Sequence, residues 1–448
     1  MSLPTARYSH IRIDPVHYCE LEEILAAKRK RRYFFDRNGD PIDAPQVRLM
    51  LLMRTVRQDR DLGDLVLSLR MPYMTREANK DEIARTVSVL PNLRYVDLPT
   101  GIFHDDQSCH ALKQELMARC PDLRRMSYRH GSEGSFAQLP GAQLWMNLEV
   151  LELSGLQFEM NVLRFALGSF PHLRDLTLED IPLLDDSAFT PSQSLPPFPA
   201  VQRLTLRDTP NVTASGLAAL LSLPSNRKSL LSLALSSTGV SPAHLCRIVD
   251  AAPHLCGLSV VQTVARSFPI DKIPLLASRS LQSLHYEITP ATSASFGMQP
   301  VSASYYSYLI SSLVSNSLPA LEELYVRDAA FPESLLLAPP PRLFGGGESG
   351  PQALGGILVQ PLNVYSKGLD ELEWNFTPYE PPATRGRRDS TTRPVSYHGA
   401  HLSRAWGGDS RKSALVGNGF GGFLAVPVDE RPKSSGGWRR DSRQDLWR

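Results

Sequence analysis

The densest group of side chains that could bind a metal ion lies in the first third of the chain. It consists of His104, Asp105, Asp106, Cys109 and His110. Zinc sites usually draw on two separated pairs of ligands, and no second group with matching spacing follows. We therefore expect a polar loop that caps the helix predicted for ALKQELMARC, with no metal and no other cofactor.

Two glycine-rich segments have the letters of phosphate-binding loops. Residues 417–422, GNGFGG, match G-x-G-x-x-G, and residues 345–347 are three consecutive glycines. The first lacks the flanking strand and helix of a nucleotide-binding unit, and the second lacks the following Lys-Ser or Lys-Thr. No G-x-S-x-G, H-E-x-x-H or paired-carboxylate motif occurs, so the sequence does not predict an enzyme.

The compartment follows from cysteine use and from the absence of targeting segments. Five scattered cysteines are too few, and odd in number, for a disulfide framework, which favours a reducing compartment. No apolar run approaches the ~20 residues of a membrane span, and no secretory signal is visible. We expect a cytoplasmic or nuclear protein, or both. The basic run 28–32, KRKRR, is either a nuclear import signal or a solvated helix end.

Charge is unevenly distributed along the chain. The whole chain carries 48 Lys and Arg against 46 Asp and Glu, a balance that argues against a nucleic-acid or membrane binder. Residues 377–448 alone hold 13 basic and 7 acidic residues, a net +6, together with ten of the 29 glycines. Such a segment buries too little apolar surface to offset the entropy of ordering. We therefore predict a disordered basic tail over 377–448.

A repeated L-x-x-L-x-L spacing dominates the rest of the sequence. Seven of the ten intervals between successive copies are 25–30 residues, which is typical of leucine-rich repeats. The copies begin at Leu62, Leu93, Leu123, Leu148, Leu173, Val201, Leu230, Leu255, Leu281, Leu321 and Leu369.

The spacing predicts an α/β leucine-rich-repeat solenoid, a horseshoe with a parallel sheet on its concave face and helices on its convex face. The fourth and sixth positions of each copy lie two residues apart, the period of a strand, so both point into the core. One unit cannot bury its apolar side alone, and neighbouring units must stack. We predict an atypical N-terminal cap over 1–60, repeats over 61–376, and a mobile insertion at about 338–366.

Threonine occupies the ninth position of four consecutive copies, at Thr209, Thr238, Thr263 and Thr289. Leucine-rich repeats commonly have Asn or Cys there, bonded to neighbouring backbone. The threonines predict either a ladder of hydroxyl hydrogen bonds or simply the frequent use of Thr at strand ends.

The order of segments resembles fungal F-box/leucine-rich-repeat proteins. YSHIRI is followed by RLMLLMRTV, by DLGDLVLSLRMPY and then by irregular L-x-x-L-x-L copies over roughly 8–376. The resemblance implies a helical F-box that binds the adaptor of cullin-based ubiquitin ligases, and repeats that select the target. Only seven residues precede Tyr8, so we expect such an F-box only upstream of this chain.

The third, fifth and seventh positions of the copies are expected to face solvent on the concave side, where a protein target would bind. Equal positions of neighbouring copies lie about 5 Å apart in a parallel sheet. Asp175 should therefore lie beside Arg203, and Glu179 beside Arg207. These pairs form either an internal ion-pair ladder or part of a partner surface. The candidate binding residues are Tyr95, Arg125, Arg129, Glu152, Asp175, Glu179, Arg203, Arg207, His285, Glu287, Tyr325 and Arg327.

Two functions fit these observations. The first is a protein-binding module, the target-recognition part of a cullin-based ubiquitin ligase if the resemblance holds. The second is a scaffold or structural repeat protein without ligase association. Neither the target nor the oligomeric state follows from the sequence.

The tetrapeptide R-R-D-S occurs twice in the tail, ending at Ser390 and Ser442. Basophilic kinases prefer arginines two and three residues before the serine, because their carboxylates pair with them. Each phosphate would add about −1.5 to −2 charge and weaken attraction between the tail and the net-negative remainder of the chain. We predict phosphorylation of both serines, detected by mass spectrometry after kinase activation. A tail whose protease sensitivity is the same at low and high salt would contradict the electrostatic contact.

Overall fold

A computed structural model describes residues 9–13, 44–71, 80–98, 104–269, 273–291, 301–337, 358 and 360–381. The basic run 28–32, the glycine-rich segments, Ser390 and Ser442 lie outside these ranges. Within them, no helix has both the length and the apolar character that crossing a membrane requires.

Thirteen strands of the described residues form a single sheet. They are β1 His10–Arg12, β2 Ser68–Arg70, β3 Tyr95–Asp97, β4 Arg125–Arg129, β5 Val150–Ser154, β6 Asp175–Glu179, β7 Arg203–Arg207, β8 Ser232–Ser236, β9 Gly257–Val264, β10 Ser283–Pro290, β11 Glu323–Val326, β12 Leu362–Ser366 and β13 Asn375–Tyr379.

Helices occupy most of the intervals between the strands. They are α1 Ala44–Gln58, α2 Arg60–Asp64, α3 Lys80–Val87, α4 His110–Arg119, α5 Glu133–Ala137, α6 Leu139–Ala142, α7 Met160–Gly168, α8 Ala214–Ser222, α9 Pro224–Ser229, α10 Leu245–Ala251, α11 Ala303–Val314 and α12 Phe331–Leu336.

The strands lie in the sheet in the order in which they occur in the chain. Pairs from β1 to β12 are parallel, and β13 alone runs antiparallel to β12. Between β4 and β9, equal repeat positions are Cα partners, as in Leu151 with Leu176 and Leu176 with Leu204. The architecture is therefore α/β, and its strand order is consistent with a solenoid of stacked units.

The two sides of the sheet differ in burial. Side chains at the fourth and sixth positions are buried; Leu151 and Leu153, for example, are 0% exposed. Helix residues such as Leu163 and Leu217 belong to the same buried cluster, so the helices cover this side. Most side chains at the third, fifth and seventh positions remain at least partly exposed. We call this second side the open face.

The first repeat copy lies four residues later than the sequence suggested. The predicted copy at Leu62, Leu65 and Leu67 is wrong because Leu62 lies in α2, whose first turn is capped by the Asp59 carboxylate. The residues aligned with the next copy are Val66, Leu69 and Met71, each at most 1% exposed.

The sheet also begins within the segment predicted as a cap. Residues 10–12 of the segment YSHIRI form β1, which pairs with β2 in parallel. The segment RLMLLMRTV lies in α1, which ends at Gln58. The parallel sheet therefore starts at His10, within 1–60.

The last copy is also displaced. The predicted triplet Leu369, Leu372 and Trp374 does not form a parallel strand, and Leu372 is 95% exposed. The strand that pairs with β11 is β12, which lies inside the predicted insertion and buries Val364. A sharp reversal then leads to β13, which extends three residues past the boundary predicted at residue 376. The remainder of the insertion, apart from residue 358 and 360–361, lies outside the described residues.

The threonines do not form a continuous ladder. The Thr263 and Thr289 hydroxyls lie 3.1 Å apart and share a hydrogen bond. The Thr238 hydroxyl instead accepts from the Val240 backbone N–H at 3.3 Å. Thr209 is buried, and its hydroxyl makes no hydrogen bond to a described residue.

A buried arginine holds the interval between β6 and β7, which contains a short 3₁₀-helix but no α-helix. Between β6 and β7 the segment PSQSLPPFP cannot form a helix, because proline removes backbone donors and clashes with the preceding turn. Arg164 of α7, 1% exposed, donates to the carbonyls of Ala188, Thr190 and Pro196 at 2.6–3.0 Å. Burial lowers the pKa of its guanidinium. Four hydrogen bonds from the guanidinium thus satisfy three backbone carbonyls of this interval.

Two leucine-to-alanine substitutions test the register of the repeats. We predict that Leu176→Ala, at a position 1% exposed, lowers the free energy of unfolding by about 2–5 kcal/mol because it opens a cavity in the core. Leu372→Ala, at an exposed position, should change it by less than about 0.5 kcal/mol. Denaturant unfolding measures both values. Equal effects of the two substitutions would contradict the register.

Candidate protein-binding surface

The predicted binding residues all lie on the sheet. Eleven of the twelve lie within strands β3 to β11, and Arg327 follows β11 by one residue. They occupy third, fifth or seventh positions, and all but Glu287 are at least partly exposed. Their role as a binding site stays a prediction. The structure divides them into groups with different partners.

The middle of the open face carries one of the two expected ion pairs. Asp175 and Arg203 are Cα partners on β6 and β7, and the guanidinium donates to both carboxylate oxygens at 2.9 and 2.6 Å. This contact raises the pKa of Arg203. Glu179 and Arg207 are also Cα partners, yet these two described residues form no ion pair. Arg207 therefore remains an exposed cation.

A second ion pair joins β4 to β5. Arg125 Nη2 lies 2.6 Å from a carboxylate oxygen of Glu152. The two occupy different repeat positions, third and fifth, so comparison of equal positions did not predict the contact. Arg129, two positions beyond Ser127 on β4, is exposed. This strand therefore presents one arginine that is paired and one that points its charge to solvent.

The N-terminal end of the open face contains a groove of about 380 Å³. Tyr95 and Arg125, two of the candidate binding residues, line it. The other polar lining residues were not among the candidates: His10, Arg12, Ser68, Arg70 and Asp97. Aligning the alternation in SHIRI and LSLRM with YVDL would have found them.

At the C-terminal end, a nearly buried carboxylate lies among three basic side chains. Glu287 is 7% exposed, and its Oε1 lies 2.5 Å from His285 Nε2. Its other oxygen lies 3.5 Å from Arg327 Nη1 and 3.6 Å from Lys367 Nζ. The hydrogen bond from His285, followed by the nearby positive charges, lowers the pKa of Glu287. Three predicted residues thus meet, together with Lys367, which was not predicted.

Aromatic side chains surround this charged group. Tyr325 and Tyr365 stack in parallel with ring centroids 4.4 Å apart, and Trp374 meets both Tyr325 and His285 edge to face at 5.5 Å. Lys367 Nζ lies 4.1 Å from the centre of the Trp374 ring, within the range of a cation–π contact. We call these aromatic residues with Glu287, Arg327 and Lys367 the C-terminal cluster.

The segment between β12 and β13 closes this end of the open face. Arg327 Nη2 donates to the Leu369 carbonyl at 2.9 Å, and Gly368 N–H donates to a Glu371 carboxylate oxygen at 2.7 Å. Together with Trp374, these contacts hold 367–374 against β10 and β11. The open face is therefore available to a partner mainly from β1 to β9.

The polar run near residue 104 acts as the predicted loop. Asp106 accepts hydrogen bonds from the Cys109 backbone and from Ser108 at the start of the helical segment, and the Ser108 contact lowers its pKa. Asp105 instead joins Lys113 of α4 to the Gly134 backbone N–H of α5. Across the described ranges, no three His, Cys, Asp or Glu side chains are grouped to hold a metal ion.

The described cysteines pack mainly as apolar side chains. Cys109, Cys120 and Cys246 are buried, whereas Cys256 is partly exposed. Burial raises the pKa of Cys120 to about 12. A thiol with that pKa stays protonated near neutrality and is a poor nucleophile.

No protein-family model matches the chain, and no curated protein matches it. Among solved structures, the crystal structure of the Rad7 and Elc1 complex in yeast is 15% identical and covers 55% of this chain and 69% of that chain with a TM-score of 0.36. At that TM-score the likeness carries no argument about this chain.

The C-terminal cluster predicts a stability change in acid. The pKa of Glu287 in the folded chain lies below its ordinary value of 4.5. The ionised carboxylate therefore stabilises the folded state at higher pH, and this stabilisation is lost as pH falls through the folded pKa. We predict that Glu287→Gln lowers the free energy of unfolding at neutral pH by about 1–3 kcal/mol, since three basic groups lose their partner. It should also weaken the loss of stability below about pH 4.5.

The control for this prediction is Glu373→Gln, which removes an exposed carboxylate from the segment 367–374 that closes this end of the open face. Denaturant unfolding over a series of pH values measures both variants. If Glu373→Gln reduces the loss of unfolding free energy at low pH as much as Glu287→Gln does, the effect comes from the total charge of the chain and not from the cluster.

Proposed function

We propose that the chain is a leucine-rich-repeat module that binds a protein partner, and not an enzyme. In this proposal the units form a horseshoe whose concave side is the open face. The supporting observation is that the helices cover one side of the sheet, while charged and polar side chains from β1 to β9 stay partly exposed on the other. A continuous exposed sheet face of this kind is how solenoid proteins present a binding surface.

The charge pattern along the open face favours a polar partner surface. Arginines dominate at β1 to β4, the charged side chains of β5 and β6 are acidic, and those of β7 are arginines. β8 and β9 then present only small or uncharged side chains at these positions, such as Ser232, Ala234 and Ser259. The order of basic, acidic and uncharged strands along the face favours one direction and one register of a bound chain, since any other placement brings like charges together at a cost in free energy.

The resemblance to F-box/leucine-rich-repeat proteins narrows the proposal further. We propose that the module selects targets for a cullin-based ubiquitin ligase in the cytoplasm or nucleus, and that the adaptor binds an F-box upstream of residue 8. Affinity purification of the native protein should then recover the adaptor and the cullin. Purification that recovers a target without either would leave protein binding standing and overturn ligase association.

A scaffold function without ligase association is the second candidate. In such a scaffold, Asp175 and Arg203, two of the predicted binding residues, would serve only to pair with each other, as they do here. Exposed ion pairs of this kind contribute only about 0–1 kcal/mol to stability. Such a pair can therefore open to meet a partner at small cost, and the contact is compatible with both candidates.

Charge reversal on β7 tests the open face. We predict that Arg203→Glu combined with Arg207→Glu abolishes capture of the partner, because it places two carboxylates beside Asp175 and Glu179. The matched control is Arg227→Glu with Arg247→Glu, which reverses two exposed arginines of the helices α9 and α10. Co-purification followed by quantitative mass spectrometry measures capture. Unchanged capture by the folded β7 variant would exclude this part of the face.

A further inference from the structure

The charged side chains of the open face differ in whether they have partners. On β4 to β7, those at the third and fifth positions are paired within the chain. Asp175 receives two hydrogen bonds from the Arg203 guanidinium, and Arg125 lies 2.6 Å from a carboxylate oxygen of Glu152. A partner that engages these four side chains must therefore compete with contacts that the folded chain already makes.

The charged side chains at the seventh positions of the same strands are unpaired. They are Arg129 on β4, Glu179 on β6 and Arg207 on β7. None of the three side chains makes a hydrogen bond or an ion pair within the part of the chain that the structure describes. Arg129 and Arg207 are exposed, and Glu179 is partly exposed. We call these three residues the seventh-position row.

The register does not prevent Glu179 and Arg207 from pairing. They are Cα partners on β6 and β7, the same relation that joins Asp175 to Arg203 on these two strands. An exposed ion pair of this kind contributes only about 0–1 kcal/mol to stability. Leaving the two charges apart therefore costs the folded chain little, and a partner can engage either of them without breaking an internal contact.

The seventh positions nearer the C-terminus are occupied differently. Glu287 lies within 3.6 Å of a nitrogen of Arg327 and of Lys367, so these three charges compensate one another. Between them and the row, β8 and β9 carry the uncharged Ser236 and Val261 at their seventh positions. Among the seventh positions that the structure describes, uncompensated charge is thus confined to β4 to β7.

The spacing of the row determines where a partner must carry its charges. Cα partner relations lead from Arg129 through Ser154 to Glu179 and Arg207. Arg129 and Arg207 are therefore three inter-strand distances apart, about 14 Å, which corresponds to about four residues of extended chain. The first, third and fifth side chains of such a chain point to the same side. A long basic side chain at the third position would lie between the two arginines, within reach of Glu179.

We propose that the seventh-position row binds an extended segment of the partner that carries carboxylates at its first and fifth residues and a lysine or arginine at its third. This inference rests on the proposed function and specifies the charge order of the partner. The carboxylates pair with Arg129 and Arg207, whose guanidinium groups offer the forked N–H donors that match a carboxylate. The central basic group pairs with Glu179. Asp180 and Asp208, exposed directly after the row, add negative charge that favours this basic group.

Fluorescence anisotropy with the purified full-length chain at low ionic strength tests the proposal. The probe is the fluorescein-labelled peptide Ser-Glu-Ser-Lys-Ser-Glu-Ser. One control peptide, Ser-Lys-Ser-Glu-Ser-Glu-Ser, has the same composition and net charge in a different order, and a second reverses every charge. We expect the probe to bind about threefold or more tightly than the first control and about tenfold or more tightly than the second. Binding of the probe should weaken as salt is added.

Two substitutions on β7 separate the row from the paired side chains. Arg207→Gln should weaken binding of the probe about threefold or more. Arg203→Gln, on the same strand, should weaken it less than about twofold, because Arg203 is already paired with Asp175. Arg227→Gln, which removes an exposed arginine from α9, should bind the probe like the unmodified chain. Unfolding curves establish that each variant is folded.

An exchange of charge between chain and peptide tests the contact with Arg207 itself. Arg207→Glu should bind the peptide Ser-Glu-Ser-Lys-Ser-Lys-Ser more tightly than the probe, whereas the unmodified chain should prefer the probe. A substitution that merely disturbed the fold would weaken binding of both peptides and would not reverse the preference.

Several outcomes would overturn the proposal. They are absence of probe binding, equal binding of the two peptides of the same composition, equal effects of Arg203→Gln and Arg207→Gln, and an unreversed preference of the Arg207→Glu variant. Binding that follows net charge alone would assign the peptides to the basic tail instead. Failure of this proposal is distinguishable from failure of the proposed function. If the β7 double variant loses capture of the partner but the chain does not select peptides by charge order, the open face remains the binding surface and this proposal is wrong.

Discussion

The parallel register of the sheet is the constraint on which the other features depend. Each strand buries its fourth and sixth positions in one apolar cluster, and neighbouring units supply the surface that a single unit lacks. A slip of one residue would turn every leucine of a strand to the open face and every charge into the core. The register is therefore strongly determined, and the positions of the polar side chains follow from it.

Because equal positions lie side by side, the open face consists of rows that cross the strands. The row at the third position runs from His10 through Tyr95 to Asp175 and Arg203. Near the C-terminus, the seventh positions of three successive copies supply Glu287, Arg327 and Lys367, which neutralise one another. The same geometry thus gives an exposed basic region at one end and a closed, charge-balanced cluster at the other.

The sequence predicted the fold best where copies follow one another at regular intervals. From Leu93 to Val326 the leucine triplets matched the strands, because each interval leaves room for one strand and one return segment. The errors lie at both ends, where a leucine pattern occurs outside a strand: Leu62 in a short helix and Leu372 in an exposed loop. A triplet alone does not distinguish these cases, since burial depends on the neighbouring unit.

Part of the candidate surface could also not be predicted from the sequence. Because the last copy was placed at Leu369, Tyr365 and Lys367 were not recognised as the fifth and seventh positions of the copy that contains β12. The cation–π contact of Lys367 with Trp374 depends on a chain reversal that no spacing rule describes. Arg164 shows the same limit in the core. Its burial depends on carbonyls from a proline-rich segment more than twenty residues away, and a charged residue on a helix would ordinarily be assigned to the surface.

The antiparallel strand β13 affects how the molecule behaves at high concentration. A parallel sheet built from repeats has an unpaired edge at each end, and such an edge can recruit strands from other molecules. At the C-terminal edge, β13 reverses the strand direction and includes Pro378, whose ring nitrogen has no hydrogen to donate. An additional parallel unit therefore has no matching template there. We therefore expect the strand that ends the sheet to make that edge a poor template for aggregation.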